Sequence, residues 1–75
     1  MTGLVRKSDS FGMVSYFTIV GMTESDCFEQ VTELNFHTRQ CDTGNRFYLI
    51  ATRQNGKWYD IEGKELSDEY IRTYL

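Results

Sequence analysis

The strongest pattern of hydrophobic positions in the chain covers Phe11–Val20. β-Branched and aromatic residues occupy both odd and even positions there. A strand with one buried face would alternate apolar and polar residues, so this pattern predicts a strand that is buried on both sides. Residues 1–10 show no comparable pattern, and we expect them to be flexible.

A helix is predicted after this strand. Thr23-Glu-Ser-Asp26 has the spacing of a capping box, in which the threonine hydroxyl accepts a hydrogen bond from a first-turn amide and acidic groups lie at the positive end of the helix dipole. Apolar residues then follow at the spacing of one helical face: Cys27, Phe28, Val31 and Leu34. Polar residues, Asn35 among them, fill the other face. The pattern predicts a helix over 24–35.

Two turn signals divide the following segment. Asp42–Asn45 is suited to connect a strand at 36–41 with one at 46–53. Asn55-Gly56 is the strongest short hairpin signal and connects the second strand to a third at 57–61. The three strands form a predicted meander.

The last element is a short helix. Ser67 can cap it, and apolar residues recur at helical spacing through Asp68–Leu75. The chain is therefore predicted to be one α+β domain over residues 1–75: a small, mostly antiparallel four-stranded sheet with one helix packed on a face and a short C-terminal helix, in the order β-α-β-β-β-α.

The hairpin turns assign residues to the two faces of the meander. The Asn55-Gly56 turn pairs Arg53 with Trp58, Thr52 with Tyr59 and Ile50 with Ile61. One predicted face holds Phe36, Phe47, Leu49, Ala51 and Trp58, and the other holds His37, Arg39, Tyr48, Ile50, Tyr59 and Ile61. Both faces carry apolar residues, so both need a cover. The helix at 24–35 can cover the first, and the second needs the C-terminal helix, another copy of the chain or a partner.

Composition and charge narrow the classes of function. The chain has 75 residues, 40% of them hydrophobic, and a net charge of −3. It has neither a run of about 20 apolar residues nor an apolar signal region, so we expect a cytoplasmic protein without membrane contact. A negative net charge argues against general nucleic-acid binding, although basic residues dominate 36–59.

Candidate catalytic and metal-binding residues are few. Cys27 and Cys41 are expected to be reduced thiols. Cys27, His37, Cys41 and Asp42 have the chemistry of zinc ligands but lack the short paired spacing of structural zinc sites. His37 is the only histidine and has no recognisable nucleophile or orienting acid beside it in the sequence. We expect no catalysis, no cofactor and no bound metal.

One resemblance covers the end of the chain. Phe47–Leu75, with Gly56-Lys-Trp-Tyr-Asp60 and Leu66-Ser-Asp-Glu-Tyr-Ile71, resembles the closing hairpin and helix of the Josephin-type, papain-like cysteine proteases. That family places its catalytic histidine at the start of the first of these strands, where this chain has Arg46. The resemblance therefore implies a strand-turn-strand-helix unit and no catalytic role.

The strongest functional signal is a set of arginine and aromatic residues on the predicted meander. Such residues are enriched at the centres of protein interfaces. The set is Arg39, Arg46, Tyr48, Arg53, Trp58 and Tyr59. The other interpretation makes the aromatic residues core and the arginines solvated strand ends.

We predict a non-enzymatic module that binds a protein partner, as a phage-type or mobile-element-type inhibitor or adaptor of a host protein. The alternative is a nucleic-acid-binding protein that uses the same residues; a homodimer is compatible with either.

Overall fold

An antiparallel sheet with a helix against each face forms the protein, and the computed structural model describes residues 1–75. The elements are β1 (Thr2–Ser8), β2 (Val14–Val20), α1 (Glu24–Cys41), β3 (Arg46–Gln54), β4 (Lys57–Asp60), β5 (Glu65–Leu66) and α2 (Asp68–Arg72). The strand order across the sheet is β2-β1-β3-β4-β5. The prediction that the strand ending at Val20 is buried on both sides is wrong, because β2 is an outer strand and none of its residues is fully buried. The predicted α+β class, with an antiparallel sheet, a long helix and a short C-terminal helix, is confirmed, but the sheet has five strands rather than four.

The additional strand is β1, which lies within the segment expected to be flexible. It pairs with β2 on one side and with β3 on the other. Leu4 and Val5 are fully buried, and as consecutive strand residues they point to opposite faces of the sheet. The expectation of flexibility is wrong for Thr2–Ser8, because two adjacent apolar residues in a central strand produce no alternation that a sequence pattern can show.

A hairpin loop joins β1 to β2. The carboxylate oxygen Oδ1 of Asp9 accepts hydrogen bonds from the backbone amides of Phe11 and Met13, both at 2.9 Å. This side chain mimics backbone turn hydrogen bonds, which is the usual role of aspartate in a turn. The loop leaves Phe11 and Met13 exposed at its tip.

The start of α1 is as predicted. The hydroxyl of Thr23 accepts from the amide of Asp26, and the Asp26 carboxylate accepts from the amides of Met22 and Thr23. The helix continues through Cys41, so the strand predicted at 36–41 is wrong. The continuation keeps the helical spacing with a polar residue, since the buried position after Val31 and Leu34 is Thr38.

Asp42–Asn45 therefore ends a helix instead of joining two strands. Asp42 has a φ of 51° in the left-handed region, and its amide donates to the carbonyls of Arg39 and Thr38. Residues that tolerate the left-handed conformation suit both helix ends and hairpin turns. The prediction of a turn at Asp42–Asn45 is therefore confirmed, but the residue types of this turn do not show whether a helix or a strand precedes it.

Asn35 fastens α1 to β3. Its side-chain amide donates to the carbonyl of Phe47 at 2.9 Å and its side-chain oxygen accepts from the amide of Phe47 at 2.8 Å. The assignment of Asn35 to the outer, polar helix face is wrong, because these two bonds draw it towards the sheet. Thr38 adds a nearby link through hydrogen bonds to the carbonyls of Asn35 and Asn45.

A β-bulge at Ile50 moves the second half of β3 to the other face of the sheet. Val5 pairs with Leu49 and Leu4 pairs with Ala51, so Ile50 is the additional residue. Leu49 consequently packs towards α1, while Ala51 packs towards α2. The predicted faces are therefore wrong in part. Phe36, His37 and Arg39 lie on the helix, and Trp58 and Tyr59 have exchanged faces relative to Phe47 and Tyr48.

The Asn55-Gly56 hairpin is confirmed. Both residues have positive φ values, 51° and 78°, as a two-residue turn of this type needs. Arg53 lies opposite Trp58 and Thr52 lies opposite Tyr59, as predicted. The predicted pairing of Ile50 with Ile61 does not form, because β4 ends at Asp60.

The core consists of one apolar cluster on each side of the sheet. The cluster under α1 contains Val5, Cys27, Val31, Phe47 and Leu49. The cluster under α2 contains Leu4, Ala51, Trp58 and Ile71. The side chain of Ser67 caps α2, as predicted. α2 covers Ala51 and Trp58, which the sequence pattern assigned to the first face, and it leaves Tyr48 of the second face exposed.

Two buried threonines make a matched test of hydrogen bonding. The Thr52 hydroxyl is buried and has no hydrogen-bond partner in the protein, whereas that of Thr38 donates to two carbonyls. Replacing Thr52 by the isosteric valine should raise the free energy of unfolding by up to about 1 kcal/mol, and Thr38→Val should lower it by about 1 kcal/mol. Urea unfolding measures both. A loss of stability in Thr52→Val would contradict an unpartnered hydroxyl.

The Asn35 link has its own test. Asn35→Leu keeps the size of the side chain but leaves the amide and carbonyl of Phe47 without partners, and we expect it to lower the free energy of unfolding by about 1–3 kcal/mol. Thr32→Leu is the control, because Thr32 is exposed on the same helix and contacts only the carbonyl of Phe28. Equal stabilities of the two variants would show that the Asn35 bonds contribute nothing.

Candidate binding surface

α2 covers only part of its side of the sheet. The covered part lies over Leu4, Ala51 and Trp58. Beyond it, towards the loop that joins β1 and β2, the same face carries Arg6, Ser8, Arg46 and Tyr48, which we call the open face, and Val14 lies beside Ser8 at its border. In the pairing register Arg6 lies opposite Tyr48 and Ser8 lies opposite Arg46.

A group of tyrosines borders the open face. Tyr16 lies opposite Arg6 on the β2 side, and its ring meets the ring of Tyr74 edge-on with centroids 4.7 Å apart. Tyr74 in turn donates a hydrogen bond to the hydroxyl of Tyr70 at 3.0 Å. The bond to Tyr70 is the main cause that raises the pKa of Tyr74 above its ordinary value. These ring contacts hold the end of α2 against the sheet. They also place aromatic side chains along one border of the open face.

The open face is basic. Its charged residues are Arg6 and Arg46, and neither makes an ion pair, since the single ion pair of the protein joins Lys57 to Glu65. Arg46 instead donates to the carbonyl of Asn45 at 2.9 Å. The exposed side of α1 across the sheet carries acidic residues such as Glu29 and Glu33. The open face and the acidic outer part of α1 therefore carry opposite charges.

The structure separates the six residues predicted to bind a partner. Arg46 and Tyr48 lie on the open face, and Tyr48 is 51% exposed. Arg53 is on the same side of the sheet but at the far end of β3, next to Trp58, which is buried against Ile71 of α2. The other two members, Arg39 and Tyr59, lie on the last turn of α1 and on the α1 side of β4.

Sequence reasoning missed Arg6 and Tyr16. Both belong to the β1–β2 hairpin, and Arg6 was assigned to a flexible segment. A signal was present, because Asp9, Ser10 and Gly12 form a cluster of turn residues directly before a strong strand pattern. That cluster indicates a partner strand on its N-terminal side.

The residues considered for a metal site lie at two ends of α1. Cys27 is fully buried under the sheet, and ten residues separate it from His37, which corresponds to about 15 Å along a helix. Cys41 lies one turn after His37, with its Sγ 3.7 Å from Nε2 of the histidine, and both residues are exposed. Cys27 and Cys41 are free thiols, and their separation along one helix prevents them from forming a disulfide with each other.

A narrow cleft runs between α1 and the outer strand β2. Phe17, Ile19 and Leu34 form its apolar part, and Glu33 and His37 lie among its lining residues. The strand on one side of the cleft, β2, forms an edge of the sheet.

Comparison with known protein families, curated proteins and solved structures finds no match to this chain. None of its helices combines the length and apolar character needed to cross a membrane.

The two thiols should differ strongly in reactivity. Burial is the main cause that raises the pKa of Cys27 above its ordinary value, and Asp26 and Glu24 add to the shift, whereas the amino terminus opposes it. A raised pKa leaves less of the reactive thiolate, and burial keeps the reagent away from Cys27, so this thiol should react slowly. With a thiol reagent at mildly alkaline pH, we expect Cys41 to react at once and Cys27 only when the protein is unfolded. Rapid reaction of both thiols in the native protein would contradict this packing.

Proposed function

We propose that the protein is a small, cytoplasmic, non-enzymatic module that captures one protein partner stoichiometrically on the open face, as an inhibitor or adaptor. The observation that carries this proposal is the half-exposed Tyr48, which lies opposite Arg6 and two residues from Arg46 on a part of the sheet that α2 leaves uncovered.

The residue types of the open face favour protein binding. Tyrosine and arginine give large contact areas together with hydrogen bonds, and they are enriched where interface energy concentrates. β1 and β3, which carry them, are adjacent strands with many backbone hydrogen bonds. A rigid surface loses little conformational entropy on binding, which favours affinity.

Charge narrows the partner. Arg6 and Arg46 are unpaired and have no acidic residue in their rows of the sheet. An acidic partner surface that supplies carboxylates to these two guanidinium groups would complement the open face, because arginine binds carboxylates through paired hydrogen bonds. The acidic outer side of α1 would direct such a partner away from the opposite side of the molecule.

Nucleic-acid binding is the second candidate, and it has less support. Stacking of bases needs exposed aromatic rings along a basic track. Trp58 is 7% exposed and Tyr59 lies on the other side of the sheet. Arg46 and Arg53 share one side of β3, but a net charge of −3 opposes a strong attraction for phosphates.

The analogy with phage-type or mobile-element-type regulators of host proteins rests on the small size of the domain and on its few candidate catalytic residues. His37 has only Cys41 as a side-chain neighbour at hydrogen-bonding range, without a third group to orient it. Catalytic pairs of this kind need such orientation. This part of the proposal is an analogy of kind and not of ancestry.

The test is capture of a partner from lysate of the source or host, with and without nuclease, followed by mass spectrometry. Arg6→Ala combined with Tyr48→Ala should weaken capture at least about tenfold, because it removes both central groups of the open face. Arg39→Ala combined with Phe36→Ala is the matched control, since it removes one arginine and one exposed aromatic ring from α1. We expect the control to capture normally and both variants to melt near the wild-type temperature.

Other outcomes have definite meanings. Equal loss of capture in both double variants would refute the open face as the site. Capture that disappears with nuclease and falls steeply with salt would favour nucleic acid, with Arg46, Arg53 and Lys57 as the residues to replace next.

A further inference from the structure

The outer strand β2 has an unusually unprotected edge. It is seven residues long, Val14–Val20, and contains no charged residue, proline or glycine. Natural proteins usually protect such edges with charges, proline, bulges or a short strand length, because an open edge pairs with other strands. The opposite edge of this sheet is protected in that way, since β5 has two residues and its Glu65 forms the ion pair with Lys57.

The hydrogen bonds between β1 and β2 show which backbone groups of β2 point away from the sheet. Gly21 exchanges hydrogen bonds with Met1, and the carbonyl of Met13 accepts from the amide of Asp9. In an antiparallel pair the direction of these bonds alternates along the strand. The odd-numbered residues of β2 therefore face β1, and the amides and carbonyls of the even-numbered residues point to the open edge. These residues are Val14, Tyr16, Thr18 and Val20; the carbonyl of Val20 already accepts from the Gln30 side chain at 2.7 Å.

We infer that two copies of the chain pair through this edge, β2 against β2 in antiparallel orientation, around a two-fold axis at Phe17. In this register Val14 of one copy lies opposite Val20 of the other, and Tyr16 lies opposite Thr18. Every outward-facing position then has a backbone partner, and the two sheets become one continuous sheet.

The pattern of exposed side chains identifies a second copy as the occupant. Val14 and Val20 are 41% and 75% exposed, and they lie at equal distances from Phe17 on the same face of the strand. Beyond them, Met13 and Met22 are 69% and 90% exposed. Antiparallel self-pairing brings the exposed apolar end of each strand against the exposed apolar end of the other, without placing like charges opposite each other.

The cleft beside β2 agrees with this arrangement. Phe17 points to the α1 side, where it lines the cleft together with Ile19 and Leu34. On the axis, Phe17 of the second copy lies directly beside Phe17 of the first. Aromatic pairs between neighbouring strands stabilise a sheet.

Analytical ultracentrifugation of the full chain tests the inference, with expected masses that approach twice the 8.8 kDa of one chain as the concentration rises. Val14→Lys combined with Val20→Lys places lysines opposite each other across the axis and should give the mass of one chain. Val14→Glu combined with Val20→Lys places opposite charges there and should restore the doubled mass. Ile61→Lys combined with Leu75→Lys, at two exposed apolar positions outside β2, should leave the doubled mass unchanged.

The results separate cleanly. A wild-type protein that keeps the mass of one chain at millimolar concentration overturns the inference, and so does a doubled mass in the double-lysine variant. A charge-swapped variant that stays at the mass of one chain overturns the axis at Phe17. None of these substitutions touches Arg6, Arg46 or Tyr48, so failure here is distinct from failure of the proposed function. Far-UV circular dichroism of each variant confirms that it is folded.

Discussion

The position of β1 at the centre of the sheet is the constraint on which the rest of the structure depends. Its two apolar residues, Leu4 and Val5, are fully buried on opposite faces, so one dipeptide contributes to both apolar clusters. Its backbone is hydrogen-bonded on both sides, which aligns β2 with β3 although a long helix separates these strands in the chain. β1 therefore contributes to the apolar surface under α1 and to the apolar surface under α2.

Parts of the fold that depend on local chemistry were predictable from the sequence. The Thr23 capping box, the Asn55-Gly56 turn and the Ser67 cap each follow from hydrogen bonds between neighbouring residues, and each forms as predicted. The parts that depend on distant contacts were not predictable. Residues 36–41 have strand-like composition but continue the helix, because Asn35 and Thr38 find hydrogen-bond partners in and next to β3; tertiary contacts of this kind routinely override propensity.

In the candidate site, too, some residues could be predicted from the local sequence and others depend on distant contacts. Arg46 and Tyr48 were predicted from their types, and the structure places them on one exposed surface. Arg6 could not be predicted, since its place on that surface depends on pairing with a strand some 40 residues later in the chain. The place of Trp58 was equally hidden, since it was predicted on the face opposite Tyr48 but lies on the same side of the sheet, where α2 buries it.

The bulge at Ile50 has a consequence for how this chain can vary. Loss of Ile50 would leave a regular strand in which Leu49 still pairs with Val5 and Ala51 still pairs with Leu4, so the faces of β3 would not change. Loss of a residue from β1, which has no additional residue, would move the following side chains to the other face. The loop between β1 and β2, in contrast, ends at a solvent-exposed tip and can change length at little cost. Related sequences should therefore preserve the residue count of Thr2–Ser8, and they can lack the residue at position 50. Insertions and deletions should accumulate at the loop around Phe11.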